Sequence, residues 1–101
     1  MFKSVLHTDD SPAVVDLVGD LDTSASDVFV EDVSKLFENG CNSVVLDMSQ
    51  LEFLSSSGLR KLLIISRMAA SKGGRMTVRN VSPDIRQIFS LTGFDSLLGL
   101  E

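Results

Sequence analysis

The chain has 101 residues and a formal net charge of −5, with 44% hydrophobic and 23% charged residues. This length favours a single domain over 1–101, and the composition is typical of a folded globular protein rather than a disordered one. The sequence contains no basic cluster, so we expect neither nucleic-acid nor anionic-membrane binding, and a charged partner is expected to be basic.

Membrane insertion and export are not expected either. No apolar run approaches the roughly 20 residues needed to cross a bilayer, and the N-terminal segment lacks the apolar stretch of a signal peptide. The single cysteine, Cys41, has no internal disulfide partner, which fits a cytoplasmic protein. His7 is the only histidine and has no cysteine near it in the sequence, so we expect a surface or edge-strand histidine and no metal site.

The first third of the chain predicts two strands and a helix. Strands are predicted at 5–6 and 13–18 around a turn over 8–12, and Gly19 ends the second strand. The segment 22–40 then has helical spacing, with Asp22 or Thr23 as its N-terminal cap and Gly40 suited to the position after its end. The apolar face of this helix comprises Ala25, Phe29, Val33, Leu36 and Phe37.

The middle of the chain predicts a strand followed by a second helix. The strand covers 43–48, with Asp47 near its end as a turn or hydrogen-bonding residue. The serines at 55–57 follow, and the helix that begins there stops at the glycines 73–74. The residues predicted to cluster on one side of this helix are Leu59, Leu62, Leu63, Ser66, Ala69 and Ala70.

The last third predicts a strand over 75–80, a third helix and a short strand at 97–98. The third helix begins at Ser82 with a hydroxyl cap, a proline at its first position and an acid facing the helix dipole, and it ends at Thr92 and Gly93. Strands that alternate with helices predict an α/β fold joined by right-handed crossovers. We therefore expect a single mixed, largely parallel sheet of four to five strands with three amphipathic helices.

Three consecutive serines, Ser55, Ser56 and Ser57, stand where a predicted strand has ended and a helix begins, at the carboxyl edge of the sheet. Functional groups gather at that edge in open α/β folds. A phosphate attached to a serine there could be held by the unpaired N–H groups of the first helical turn without unfolding the chain. Alternatively, one serine caps the helix and the others fill a loop. The residues alone leave both interpretations open.

The segment SVVLDMSQLEFLSSSGLRKLL resembles the signature region of STAS domains, which are named for sulfate transporters and anti-sigma factor antagonists. The similarity extends upstream to VVDLVGDLDTSAS and downstream to GGRMTVRNVSPDIRQIFSLTGFDSLL, and so covers nearly the whole chain. In stand-alone members of this family, a partner kinase phosphorylates the serine two residues before the motif glycine, which is Gly58 here. The resemblance therefore implies Ser56 as the acceptor, with Ser57 as the second choice.

The resemblance also implies a partner-switching cycle. The unphosphorylated protein binds an anti-sigma factor that is also a serine protein kinase, phosphorylation of Ser56 releases it, and a metal-dependent serine phosphatase resets the switch. ATP and Mg²⁺ belong to those partners, because this chain has no Gly-rich phosphate cradle. We therefore expect no cofactor, metal or enzyme activity in this chain, and we take a monomer as the default oligomeric state.

One residue departs from the family pattern. The antagonist members commonly carry aspartate immediately before the acceptor serine, whereas this chain has Ser55. The missing carboxylate weakens kinase recognition, moves the modification to a neighbouring serine, or indicates a non-phosphorylated interaction or scaffold module. A hydrolase that uses one of the serines as its nucleophile is a weaker alternative, because no G-x-S-x-G elbow is present and His7 lies far away in the sequence.

The expected partner-binding surface surrounds the serines. Asp22 resembles the family's acidic residue at the start of the first helix; contact with the partner and capping of the helix are both expected roles, and they are compatible. On the second helix, Ile64 and Met68 are predicted to face outward among basic side chains, as a docking spot beside the switch. The full set of predicted partner-binding residues is Asp22, Ser55, Ser57, Gly58, Arg60, Lys61, Ile64 and Met68.

Overall fold

The computed structural model of the protein describes residues 2–7, 13–93 and 99–100. Over these residues, strands and helices alternate along the chain as predicted. The elements are β1 (Phe2–His7), β2 (Ala13–Leu21), α1 (Thr23–Glu38), β3 (Val44–Leu54), α2 (Ser56–Ser71), β4 (Met76–Arg79), α3 (Pro83–Thr92) and β5 (Gly99–Leu100).

The strands form one mixed sheet in the order β1-β2-β3-β4-β5. β1 pairs antiparallel with β2, and every other neighbouring pair is parallel. The spatial order follows the chain order, so each crossover helix steps the chain to the adjacent strand. The prediction of an α/β fold with a largely parallel sheet and three helices is thereby confirmed.

The two faces of the sheet have different environments. On one face, which we call the helix-covered face, Val15, Leu46 and Val78 are fully buried and join one hydrophobic cluster with the buried residues of all three helices. Successive side chains of a strand alternate between the two faces. The opposite face therefore carries the neighbouring positions, among them Asp16 and Asp47, which lie side by side in the strand register.

β3 is longer than predicted, and its predicted end near Met48 is wrong. The exposed polar residues after Met48 suggested that the strand had ended, yet Gln50 still pairs with Val18 and Leu54 pairs with Leu21. Two register irregularities in the β2–β3 pairing interrupt the side-chain alternation without ending the ladder. β3 consequently ends at Leu54, directly before the serines at 55–57.

β2 also continues beyond its predicted end. Gly19 has a φ of 93° at one of the register irregularities, and the strand runs on to Leu21. A glycine tolerates this left-handed backbone inside a bulged strand, so it does not stop the pairing. The turn predicted over 8–12 and the strand predicted at 97–98 lie outside the described residues.

The predicted helix starts are confirmed. Asp22 caps α1 by accepting a hydrogen bond from the Ala25 N–H (2.9 Å), and Ser82 caps α3 through the Ile85 N–H (3.3 Å). α3 ends at Gly93, whose φ of 76° is the left-handed conformation expected of a terminating glycine. These ends were predictable because each depends on residues only a few positions apart.

Asp47 links β3 to the end of β4 on the opposite face of the sheet. Its Oδ2 accepts hydrogen bonds from the Arg79 guanidinium (3.0 Å) and the Asn80 amide (2.9 Å), and its Oδ1 accepts one from the Ser49 N–H (2.9 Å). Burial raises the pKa of Asp47, but the Ser49 donors, Arg79 and Asn80 outweigh burial and lower the pKa to about 2. The prediction of Asp47 as a hydrogen-bonding residue is confirmed, but the residue lies within β3, so its predicted position at a strand end is wrong.

Asp47→Asn removes the charge that these donors stabilise. We expect it to lower the free energy of unfolding at pH 7 by about 2 kcal/mol, because the pKa of Asp47 falls from 3.8 to about 2 on folding. Since the folded-state pKa lies below the ordinary value, this contribution is complete above about pH 5 and is lost as the pH falls toward 2. Urea denaturation at pH 7 and pH 3 measures the difference.

The matched control for this experiment is Glu31→Gln, which removes a carboxylate from an exposed position of α1. Its effect on the free energy of unfolding should stay within about 0.5 kcal/mol. A difference between wild type and Asp47→Asn that is as large at pH 3 as at pH 7 would show that the lost stability does not come from the charge.

Candidate functional site

The N-termini of α1 and α2 lie side by side at the carboxyl edge of the sheet. The Thr23 hydroxyl donates to the Ser57 Oγ at 3.5 Å, and one turn further along, the Lys61 Nζ is 3.2 Å from the Asp27 Oδ1. Each pair joins a residue of α1 to the residue 34 positions later in α2. The two helices therefore run parallel and in register, and their first turns form one surface.

Ser55 is the N-cap of α2, and both functions of its hydroxyl are used inside the protein. Its Oγ accepts a hydrogen bond from the Gly58 N–H (3.0 Å) and donates one to the Leu21 carbonyl (3.0 Å). The Ser55 N–H donates to the same carbonyl at 3.0 Å. An ionised aspartate here could still accept from Gly58, but it could not donate to Leu21. Serine at this position therefore caps the helix as well as the aspartate expected from the resemblance would.

Gly58 is buried where α2 passes closest to the end of β2. A Cβ added to Gly58 would lie 2.8 Å from the Leu21 carbonyl oxygen, 2.9 Å from the Leu21 Cγ and 3.1 Å from the Leu54 Cδ1. The nearest of these atoms belongs to the backbone of a strand, which cannot move aside without disturbing the sheet. The glycine is therefore required by close packing, and it brings the first turn of α2 against β2.

Ser56 and Ser57 differ in exposure and in their contacts. Ser56 is the first residue of α2 and is exposed, and its hydroxyl has no hydrogen-bond partner within the described part of the chain. Ser57 is half-buried and its Oγ accepts the hydrogen bond from Thr23. Of the three serines, Ser56 thus has the most accessible and least engaged hydroxyl.

Asp22 caps the neighbouring helix and is held there by local donors. Its Oδ1 accepts hydrogen bonds from the Ser24 hydroxyl (2.8 Å) and the Ala25 N–H (2.9 Å). The Ser24 hydroxyl and, after it, the Ala25 N–H lower the pKa of Asp22, while burial opposes them. The capping interpretation of Asp22 is confirmed, and its contact with a partner stays a prediction.

The buried face of α2 is rotated from the one predicted. Ile65 was missed although it is fully buried, whereas the predicted inward residue Ala70 is exposed. Met68 was predicted to face outward, but it is half-buried and packs against the core, while Ile64 is 41% exposed as predicted. The apolar run in this helix is too broad for periodicity to select one face. The buried set comprises Gly58, Leu59, Leu62, Ile65 and Ala69.

Three residues of this edge have contacts or exposure that were not predicted from the sequence, and Thr23, which was an alternative cap of α1, is not the cap. Thr23 and Asp27 contact α2 from α1, and the 34-residue offset that unites them appears only when the sheet brings the helices together. Phe53, two residues before the α2 cap, is 50% exposed and pairs in the sheet with Asp20. Because the strand was predicted to end at Met48, no pattern indicated that Phe53 belongs to the sheet and that its side chain reaches solvent.

The histidine and the cysteine have contacts away from the three serines at 55–57. His7 Nε2 lies 2.8 Å from the Asp16 Oδ2 on the opposite face of the sheet, so no histidine in the described segments pairs with a serine. The half-buried Cys41 donates its thiol to the Ser43 carbonyl. Over the same segments no group of three or more His, Cys, Asp or Glu could hold a metal ion, and no helix has the length and apolarity to span a bilayer.

Comparisons with known proteins agree with this fold. The STAS domain family model matches residues 3–101. The anti-sigma F factor antagonist of Paenibacillus polymyxa is 29% identical over 86 residues, which cover 84% of this chain and 74% of that protein. Among solved structures, an anti-sigma factor antagonist from Mycobacterium paratuberculosis superposes with a TM-score of 0.87 at 24% identity, covering 99% of this chain and 85% of that one.

A second solved structure is the Bacillus cell fate determinant SpoIIAA in its phosphorylated form, with a TM-score of 0.76 and 24% identity over 98% of this chain and 91% of that one. At these identities the two structures establish the likeness of the fold alone. The family model spans nearly the entire sequence. The chain belongs to the STAS domain family.

Removing the α2 cap should cost stability, whereas removing the neighbouring hydroxyl should not. We expect Ser55→Ala to lower the free energy of unfolding by about 1–2 kcal/mol, because the Gly58 N–H and the Leu21 carbonyl each lose a hydrogen bond. The control Ser56→Ala should change it by less than about 0.5 kcal/mol. Chemical denaturation of both variants measures this, and equal effects would contradict the assignment of Ser55 as the cap.

Proposed function

We propose that this protein is an anti-sigma factor antagonist controlled by phosphorylation of Ser56. In its unmodified state it binds an anti-sigma factor that is also a serine protein kinase, and the phosphorylated protein is released. Its membership of the STAS family and its similarity to a protein named as an anti-sigma F factor antagonist support this proposal. The structural observation that carries it is the exposed, unengaged hydroxyl of Ser56 beside two serines whose hydroxyls are used.

The proposed modification is a phosphoryl transfer from ATP bound to the kinase. A bond forms between the Ser56 Oγ and the γ-phosphorus, the bond to the β,γ-bridging oxygen breaks, and ADP leaves with that electron pair. The hydroxyl proton passes to a base on the kinase. Ser57 is the second choice as acceptor, and its hydrogen bond from Thr23 would have to be given up first.

Phosphate on Ser56 would act at the surface and leave the fold in place. The group carries about −1.5 to −2 charges at neutral pH, and it would sit on the first residue of α2, where the helix dipole favours negative charge. The core contacts of Ser55 and Gly58 lie on the inner side of the same turn. Release would therefore follow from desolvation and repulsion across the interface, without refolding of the antagonist.

The proposed partner surface covers the first turns of both helices. Ser55 and Gly58 would shape it from within, since one is half-buried and the other buried, whereas Arg60 and Ile64 would contact the partner directly. Met68 would contribute through the part of its side chain left at the surface. The remaining residues of the proposed surface are Asp22, Ser57 and Lys61.

The remaining parts of the proposal follow from the same cycle. The protein would act as a cytoplasmic, monomeric binding module over 1–101 and not as an enzyme, and it would need no cofactor. A metal-dependent serine phosphatase would remove the phosphate. ATP and Mg²⁺ would be bound by the kinase.

Phosphorylation should be confined to one serine. When the protein is incubated with its cognate kinase, ATP and Mg²⁺, we expect intact-mass measurement to show the gain of one phosphate. Ser56→Ala should abolish the gain, and Ser57→Ala should retain it. If the wild-type protein binds the kinase but gains no mass, a non-phosphorylated scaffold module becomes the better description.

A charge at position 56 should weaken the complex. We expect Ser56→Asp to bind the kinase at least about tenfold more weakly than wild type, because a negative charge at the interface is desolvated and repelled. Ser56→Asn, which adds similar bulk without charge, is the matched control and should bind more tightly than Ser56→Asp. Isothermal titration calorimetry measures both affinities, and unchanged binding of Ser56→Asp would rule out electrostatic release.

A further inference from the structure

The charge of α2 is opposite to that of the protein as a whole. The helix contains three basic residues and no acidic one, although the chain has a net charge of −5. The adjacent α1 contains four acidic residues and one lysine, a net charge of −3. At contact distances the local charge dominates, because salt screens charges beyond about 8 Å at physiological ionic strength. The basic residues of α2 are Arg60, Lys61 and Arg67.

These three cations differ in whether they are already paired. Lys61 is half-buried and forms an ion pair with Asp27 of α1. Arg60 and Arg67 are exposed, and in the described part of the chain no carboxylate lies within ion-pair distance of either guanidinium. Of the two arginines without an ion-pair partner in the described part of the chain, Arg60 is therefore the one nearer to Ser56.

The spacing of Ser56 and Arg60 allows them to interact within the helix. Residues four positions apart lie on the same face of an α-helix, with their Cβ atoms about 5–6 Å apart. Both residues are exposed and both lie in the regular part of α2. A guanidinium binds the oxygens of a phosphate through two parallel hydrogen bonds, a geometry that lysine does not match. A phosphate on Ser56 would thus find a suitable donor one turn away.

We propose that Arg60 changes its binding partner when Ser56 is phosphorylated, an inference that rests on the proposed function. In the unmodified protein, its guanidinium binds a carboxylate on the partner protein. In the phosphorylated protein, it binds the phosphate of its own helix. Modification then adds a repulsive charge and also withdraws an attractive contact from the interface.

The same observations define the chemistry of the partner surface. They replace the basic partner expected from the net charge of −5 with a partner that is acidic where it meets α2. Arg60 and Arg67 lie seven residues apart, about 10 Å along the helix axis, with the exposed Ile64 between them. The matching surface carries carboxylates at a similar separation, with an apolar contact between them. Because α1 beside this strip is acidic, an extended polyanion such as a nucleic acid would be repelled.

The first test uses the isolated chain and needs no kinase. Phosphoserine is installed at position 56 during synthesis, and the phosphate is titrated by ³¹P NMR. Because Arg60 favours the dianion, we expect Arg60→Met to move the titration midpoint upward by about 0.2–0.4 pH unit. Methionine is chosen because its helix propensity is close to that of arginine.

Arg67→Met is the matched control for this titration. Arg67 lies eleven residues from Ser56, about 16 Å along the helix axis, so its removal should leave the midpoint unchanged. Added salt should reduce the difference in midpoint between wild type and Arg60→Met, because it screens the attraction between the guanidinium and the phosphate. Equal midpoints for wild type and Arg60→Met at low salt would overturn the proposal.

The second test measures the partner contact. Arg60→Met should weaken binding of the unmodified chain to the kinase about two- to fivefold, and phosphoserine at position 56 should then cost less affinity than it does in wild type. Phosphoserine in the Arg67→Met chain should cost as much as in wild type. A full, unreduced cost in Arg60→Met would contradict the proposal even if phosphorylation still releases the kinase. Absence of any kinase binding would instead count against the proposed function. The ³¹P titration would then still test whether Arg60 binds the phosphate on Ser56.

Discussion

The backbone carbonyl of Leu21 is the contact on which the arrangement of the site depends. It accepts hydrogen bonds from both the N–H and the hydroxyl of Ser55, and Gly58 packs against it with no room for a side chain. These contacts join the last residue of β2 to the first turn of α2 and set the rotation of that helix. Because Asp22 follows Leu21 and caps α1, the same point in the chain positions both helices.

The parallel pairing of β2 with β3 has a second consequence for the site. Both strands end at the same edge, so α1 and α2 start together and run side by side, joined by Thr23–Ser57 and Asp27–Lys61. Ser57 and Lys61, the polar residues of α2 that lie beside α1, are used in these contacts. What remains on the outer surface can be modified or bound without disturbing the core, which separates stability from signalling.

The sequence allowed prediction wherever the determining contacts are local. The caps Asp22 and Ser82 and the terminating Gly93 depend on hydrogen bonds that span three or four residues, and all three were predicted. The extent of β3 was not, because its second half is kept in the sheet by pairing with β2, about 33 residues earlier in the chain. The buried face of α2 was misplaced for a related reason, since an apolar run with several possible stripes is oriented by what it packs against.

The sequence by itself determined the class of fold, the family and the place of the three serines at the start of a helix. Hydrophobic patterning, helix caps and motifs each depend on residues that are close together in the chain. Only the tertiary structure decided which hydroxyl is available. Ser55 and Ser57 are engaged by Leu21 and Thr23, each 34 residues away, and no local pattern reports such contacts. The exposure of a surface group is a property of the assembled sheet and helices, and Ser56 acquires it because its neighbours face inward.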